Sequence, residues 1–160
     1  MNRIHSIIIT LFAIIITGCT STPTMGDFTY SYSMENVNNF KIEFELNADA
    51  SFKITQYNYF FDNFEKAKKP ISTEGILNNK EFSSFKELLQ QSNLEDMEDS
   101  YGYDAETTSE SDIIYMIELK HADKTKYISI NASGANTFPE KFTELIAYTN
   151  AIISDKHKTE

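Results

Sequence analysis

From Phe28 onward, apolar and polar positions alternate. Phe28, Tyr30, Tyr32 and Met34 share one side of the chain, and Thr29, Ser31 and Ser33 share the other. Phe40, Ile42, Phe44 and Leu46 repeat the pattern against Lys41, Glu43, Glu45 and Asn47. A period of two marks a half-buried antiparallel strand. Asn47-Ala48-Asp49-Ala50 supplies turn residues, so Ser51 to Phe60 is expected to return as the partner of the second strand. The alternation blurs over Tyr57-Asn58-Tyr59-Phe60-Phe61, which predicts a bulge or a strand covered on both faces. Lys66 to Pro70 reads as a polar edge or loop, and Ile71 to Leu77 as a short strand.

The period then changes. Asn78-Asn79-Lys80-Glu81 has the spacing of a capping box, with the acid three residues after the cap. Phe82, Phe85, Leu88 and Leu89 follow at helical spacing, which predicts a helix over Asn79 to Gln91. Leu94 and Met97 are expected to pack as the chain leaves that helix, and residues 98–111 read as a polar, acidic loop. Ile113, Tyr115, Ile117 and Leu119 restore the strand alternation through Lys120. Ala122-Asp123-Lys124 turns the chain, and Lys126 to Ala132 returns through Ile128 and Ile130. Thr137-Phe138-Pro139-Glu140 opens a last helix, since proline is tolerated in a first turn. Its apolar stripe is Phe142, Leu145, Ile146, Thr149, Ile152 and Ile153, followed by a polar tail at 155–160. Strands, helix, strands, helix predicts an α+β two-layer domain over 27–154, with an antiparallel sheet of about five to six strands and two helices.

Ahead of this domain the chain has another character. Arg3 supplies one positive charge, and Ile7 to Ile16 is apolar except for Thr10. That length suits a signal-peptide core and falls short of the roughly 20 residues that span a bilayer. The run closes on Ile16-Thr17-Gly18-Cys19, which holds the only cysteine and resembles the lipobox of bacterial lipoproteins. The resemblance implies removal of residues 1–18, lipidation of Cys19 and a membrane anchor, with 19–26 as a flexible Ser/Thr/Pro-rich tether. One acyl chain anchors marginally, whereas two or three hold firmly. Thr20, where an acid would hold such proteins at the inner membrane, implies sorting to the outer membrane, facing the periplasm.

The second half is similar to a class of uncharacterised small bacterial envelope lipoproteins. The matching pieces are Phe82 to Leu94, Tyr101 to Asp104, Ile113 to Ile130 and Pro139 to Ile153. The class implies an envelope location and lends no activity.

Charge narrows the partners. The chain carries 24 acidic residues against 14 basic ones, for a formal charge of −10. Loss of Arg3 with the signal makes the remainder one unit more negative and leaves it without arginine. Such a chain is unsuited to nucleic acid, which needs cationic neutralisation. Its field favours a basic protein partner.

No catalytic constellation is recognisable. The histidines, His5, His121 and His157, lie far apart, and zinc needs several Cys or His ligands. A Gly-x-Ser-x-Gly elbow and a phosphate-cradling glycine loop are both missing from the sequence. No metal or other cofactor is expected. The acidic stretch Glu95 to Asp112 offers calcium-type oxygen ligands, but its spacing fits no EF-hand loop, and a solvated loop is the simpler reading. Asn131-Ala132-Ser133 matches a glycosylation sequon without consequence in a bacterial lipoprotein. The candidate partner-binding residues are Tyr57 and Tyr59 in the aromatic run, and Asp99, Tyr101 and Asp104 in the acidic one. The expected function is non-catalytic: a lipid-anchored envelope protein that binds another macromolecule, an immunity-type inhibitor of a toxin being one version. The alternatives are an envelope structural or assembly lipoprotein and, further off, a carboxylate hydrolase or a calcium binder.

Overall fold

A computed structural model describes residues 25–36, 39–58, 69–103, 112–134 and 137–157. Seven strands form one sheet: β1 (Phe28–Asn36), β2 (Phe40–Asn47), β3 (Ser51–Asn58), β4 (Ile71–Ile76), β5 (Ser100–Tyr101), β6 (Ile113–His121) and β7 (Lys124–Asn131). Among the described residues two α-helices, α1 (Asn79–Gln91) and α2 (Glu140–His157), accompany it. The α+β class is as expected, but the sheet has more strands than the five or six expected. Nor is it purely antiparallel. The added strand is β5, two residues long, which pairs with β7 in parallel. So short a segment has no periodicity to display.

The strand order is β4-β3-β2-β1-β6-β7-β5, which puts the first strand in the centre. Thr29 to Asn36 pair with β2 on one side, and Phe28 to Asn36 with β6 on the other, both antiparallel. The expected β2–β3 hairpin forms through Asp49, whose carboxylate accepts from Ser51 N–H at 2.9 Å. Its register runs from Leu46↔Phe52 to Phe40↔Asn58 without offset, so no bulge occurs up to Asn58. Tyr59 to Phe61 lie outside the described residues.

Alternation sends one set of side chains beneath the helices. Tyr30, Phe44 and Phe85 meet there, with ring centroids 5.1 Å apart for Tyr30–Phe85 and 6.4 Å for Phe44–Phe85. Leu46, Ile54, Ile117, Leu119 and Ile128 surround them, and Phe142, Leu145 and Ile152 close the core from α2. Ile146, expected on the buried stripe, is only half-buried at its edge. Met34, Phe40, Ile42, Ile113 and Tyr115 follow the pattern but lie toward the β1–β2 turn, where burial is partial.

The capping box at Asn78 is formed. Its side chain accepts from Lys80 and Glu81 N–H, while the Glu81 carboxylate accepts from Asn78 N–H, each at 3.0 Å. Glu81 also pairs with Lys156 at 2.7 Å, tying the start of α1 to the end of α2. That pairing holds its carboxyl below the ordinary carboxylate range. The expected polar tail is accordingly shorter. Asp155 to His157 stay helical, Lys156 pairs with Glu81, and the His157 ring hydrogen-bonds the Gln56 side chain.

Candidate functional site

Both helices pack on one face of the sheet, and the opposite face is open among the described residues. Its central row is short. Thr29, Ser31 and Ser33 project from β1 between Lys41, Glu43 and Glu45 on β2 and Met116, Glu118 and Lys120 on β6. Small side chains between rows of long ones leave a trough, a cavity of about 560 Å³ along the middle of the sheet.

Tyr57 stands on one side of this trough. Its hydroxyl donates to Glu43 at 3.1 Å, Lys41 pairs with the same carboxylate at 2.7 Å, and the Lys41 ammonium lies 6.0 Å from the ring centroid. Desolvation first, and then the hydrogen bond to Glu43, raise the Tyr57 phenol above the ordinary tyrosine range. On the other side Glu118 plays the part of Glu43. It pairs with Lys120 at 2.8 Å and hydrogen-bonds the Tyr127 phenol, which rises for that reason above all. The same Lys120 contact leads the lowering of Glu118 below the usual carboxylate range. Each flank therefore carries a tyrosine that donates a hydrogen bond to a glutamate, which is itself paired with a lysine. Tyr127 is 57% exposed and Met116 52%, so ring and thioether face solvent beside the serine floor.

The residues singled out in the sequence scatter. Tyr57 lies on the open face. Asp99 reaches the rim of the same trough, with its side chain 84% exposed and paired with Lys126 at 2.7 Å. Tyr101 does not join them. Its ring meets Phe138 edge-on at 5.1 Å, and its hydroxyl accepts from Glu98 N–H at 2.9 Å, so it braces the chain below β7. Tyr59, Asp104 and Cys19 lie outside the described residues, as do the signal segment and most of the tether.

The acidic stretch is not one site. Glu95 lies 3.9 Å from both His121 and Lys124. Asp112 is buried at the far end of the sheet, accepting from Asn131 Nδ2 at 2.9 Å and Ser133 Oγ at 2.6 Å. Among the described residues no three His, Cys, Asp or Glu side chains converge in a way that could hold a metal ion. A cavity of about 830 Å³ beside the end of α1 is larger than the trough, but no tyrosine or phenylalanine lines it and its lining includes the Glu95–His121 contact.

Sequence reasoning missed Glu43, Met116, Glu118 and Tyr127. All four stand at polar-phase positions of their strands, where a tyrosine or methionine is itself the signal. No protein-family model matches this chain, and none of the curated proteins compared with it matches either.

Proposed function

We propose that this chain is a non-catalytic, lipid-anchored protein of the cell envelope whose domain binds another macromolecule through the open face of its sheet. An immunity-type inhibitor that neutralises a toxin in the periplasm is the concrete version. The observation that supports binding is the company Tyr57, Met116 and Tyr127 keep. Met116 and Tyr127 stand exposed and Tyr57 half-buried around a floor of serines, on a face that α1 and α2 leave bare. Aromatics and methionine concentrate at the centres of protein interfaces, while isolated surface charges do not. Among the described residues no histidine or cysteine lines the trough, and the carboxylates Glu43 and Glu118 each already hold a lysine. That arrangement suits docking better than proton transfer. The anchor rests on Ile16-Thr17-Gly18-Cys19 and the apolar run before it, with residues 1–18 removed and Cys19 lipidated for the outer membrane.

Two measurements test this reading. Labelled palmitate should enter the wild-type protein and not Cys19→Ser, and mass spectrometry should find residues 1–18 missing. An unlabelled protein of full precursor mass would end the anchor. In cells, a photoreactive residue at 116 or 127 should form a discrete protein adduct, and one at 147, on the exposed side of α2, should not. Adducts at 147 alone would move the binding surface to the helices.

A further inference from the structure

The charge arrangement of the open face says what should lie on it. Its lysines Lys41, Lys53 and Lys120 are already paired, each with one glutamate: Glu43, Glu74 and Glu118, at 2.7, 2.7 and 2.8 Å. Glu35 and Glu45 project from the same face, and neither has an ion pair among the described residues. The surplus charge is therefore negative, and Glu45 places it at the trough. Ser31 pairs in register with Glu45 on β2 and with Glu118 on β6, so the two carboxylates straddle its small side chain from opposite sides. Adjacent strands lie about 4.8 Å apart, which separates the two backbones by roughly twice that, the width of one extended side chain and its contacts. The Tyr127 hydroxyl is turned to Glu118, and more than half of its residue surface faces solvent beside the exposed Met116.

We infer that the occupant of the open face is a lysine- or arginine-bearing segment of a protein partner, laid along the trough floored by Ser31 and Ser33. This rests on the open face being the binding surface. The methylene stem of such a side chain covers Met116 and the tyrosine bodies, while its cation meets Glu45 and Glu118 and can lie over the Tyr127 ring. A second copy of this chain brings the same negative surplus against itself, which disfavours face-to-face association. A neutral glycan could stack on the tyrosines but would bring no cation to Glu45, which feels Lys53 and Lys120 without a close ion pair to either among the described residues.

The test is an NMR titration of the full chain, carrying Cys19→Ser, with a short alternating Arg–Ser peptide. The controls are its Glu–Ser counterpart and an N-acetylglucosamine oligomer. The Arg–Ser peptide should give saturable shifts confined to Ser31, Glu45, Glu118, Tyr127 and their neighbours, and the affinity should fall as salt rises. Glu45→Gln, an isosteric change at an exposed site, should weaken binding roughly tenfold. Asp123→Asn, in the β6–β7 turn away from the face, should leave it unchanged. Equal losses from both substitutions would show diffuse attraction to an acidic protein and overturn the inference. Binding of the oligomer to these residues, with no response to the Arg–Ser peptide, would overturn it in favour of a carbohydrate. Adducts at 127 in cells, combined with silence toward the peptide, would sink the inference alone. Shifts here combined with adducts only at 147 would leave a cation site and sink the proposed function.

Discussion

Tyr30 and Tyr32 alternate with Ser31 and Ser33 on one strand, while Tyr57 and Tyr127 occupy strands to either side, and the four tyrosines do opposite things. Tyr30 and Tyr32 point under the helices. The hydroxyl of Tyr32 donates to Asn150 at 2.9 Å, and that of Tyr30 meets Thr149 at 3.4 Å. Thr149 gives its own proton to Leu145 O, so Tyr30 is the donor. These rings are core, and their hydroxyls hold α2 in place. Tyr57 and Tyr127 point the other way and donate to glutamates, with no helix above them among the described residues. The strand period sorts residues onto two faces but does not say which face will be covered. Coverage decides whether a tyrosine is a structural member or a contact.

The largest contrast is in stability. Phe85→Ala removes a fully buried ring packed against Tyr30 and Phe44, and should cost about 3–5 kcal/mol in denaturant unfolding. Tyr127→Ala should stay within about 0.5 kcal/mol of wild type. Equal losses would mean that the open face is packed against something in the free protein, and the comparison would break.

Alkali should separate the two pairs next. Burial dominates the upward shift of both Tyr30 and Tyr32 phenols. A group whose folded pKa is raised lends stability that is complete below its unfolded pKa and disappears as pH rises through the folded one. The ultraviolet titration should therefore show Tyr57 and Tyr127 ionising reversibly, at pH values somewhat above free tyrosine, within a folded protein. The Tyr30 and Tyr32 signal should appear only together with loss of near-ultraviolet circular dichroism. Four phenols titrating together in a folded chain would contradict the burial of the first pair.

Single hydroxyls come third. Tyr32→Phe leaves Asn150 Oδ1 without its donor and should cost about 1 kcal/mol, with Tyr30→Phe similar or less across its longer contact. Tyr57→Phe should cost less than either, because its glutamate keeps Lys41. Thermal melts of the three variants would rank them, and Tyr57→Phe as the most damaging would reverse the assignment.

The tie at Glu81 should show itself mainly as a pH dependence. Its carboxyl is held low mainly by Lys156, so its contribution is present above the ordinary carboxylate pKa and is lost as pH falls through the depressed folded value. Glu81→Gln should cost about 0.5–1 kcal/mol at neutral pH and flatten the acid side of the stability profile. An unchanged profile would show that the tie between the helices contributes nothing.

Much of this fold was legible from period alone. The alternations starting at Phe28 and Phe40, the capping box at Asn78 and the stripe from Phe142 each describe a local preference that the packing kept. What was not legible depended on distant partners. β5 exists because Ser129 N–H reaches Asp99 O at 2.9 Å, a contact no local pattern announces. Asn131 and Ser133 resemble a modification signal, yet both side chains turn to Asp112, far away in sequence. On the open face, Tyr57 was visible because aromatics crowd around it in the sequence. Met116 was hidden inside the apolar run Ile113 to Ile117, and Tyr127 stands as a single aromatic between Lys126 and Ile128, so only the register brings them to the trough.

The position of β1 has a mechanical consequence. The chain ahead of Met25 feeds straight into the central strand, which runs lengthwise between two antiparallel neighbours, β2 and β6. A pull from that end loads both ladders in shear, so their hydrogen bonds share the force at once. Had the first strand lain at an edge, the same pull could have peeled it away one bond at a time. The short β5 and the edge strand β4 lie at the margins, remote from this line of force. A pull on the N-terminal end would therefore have to break both of these ladders together before it drew out the first strand.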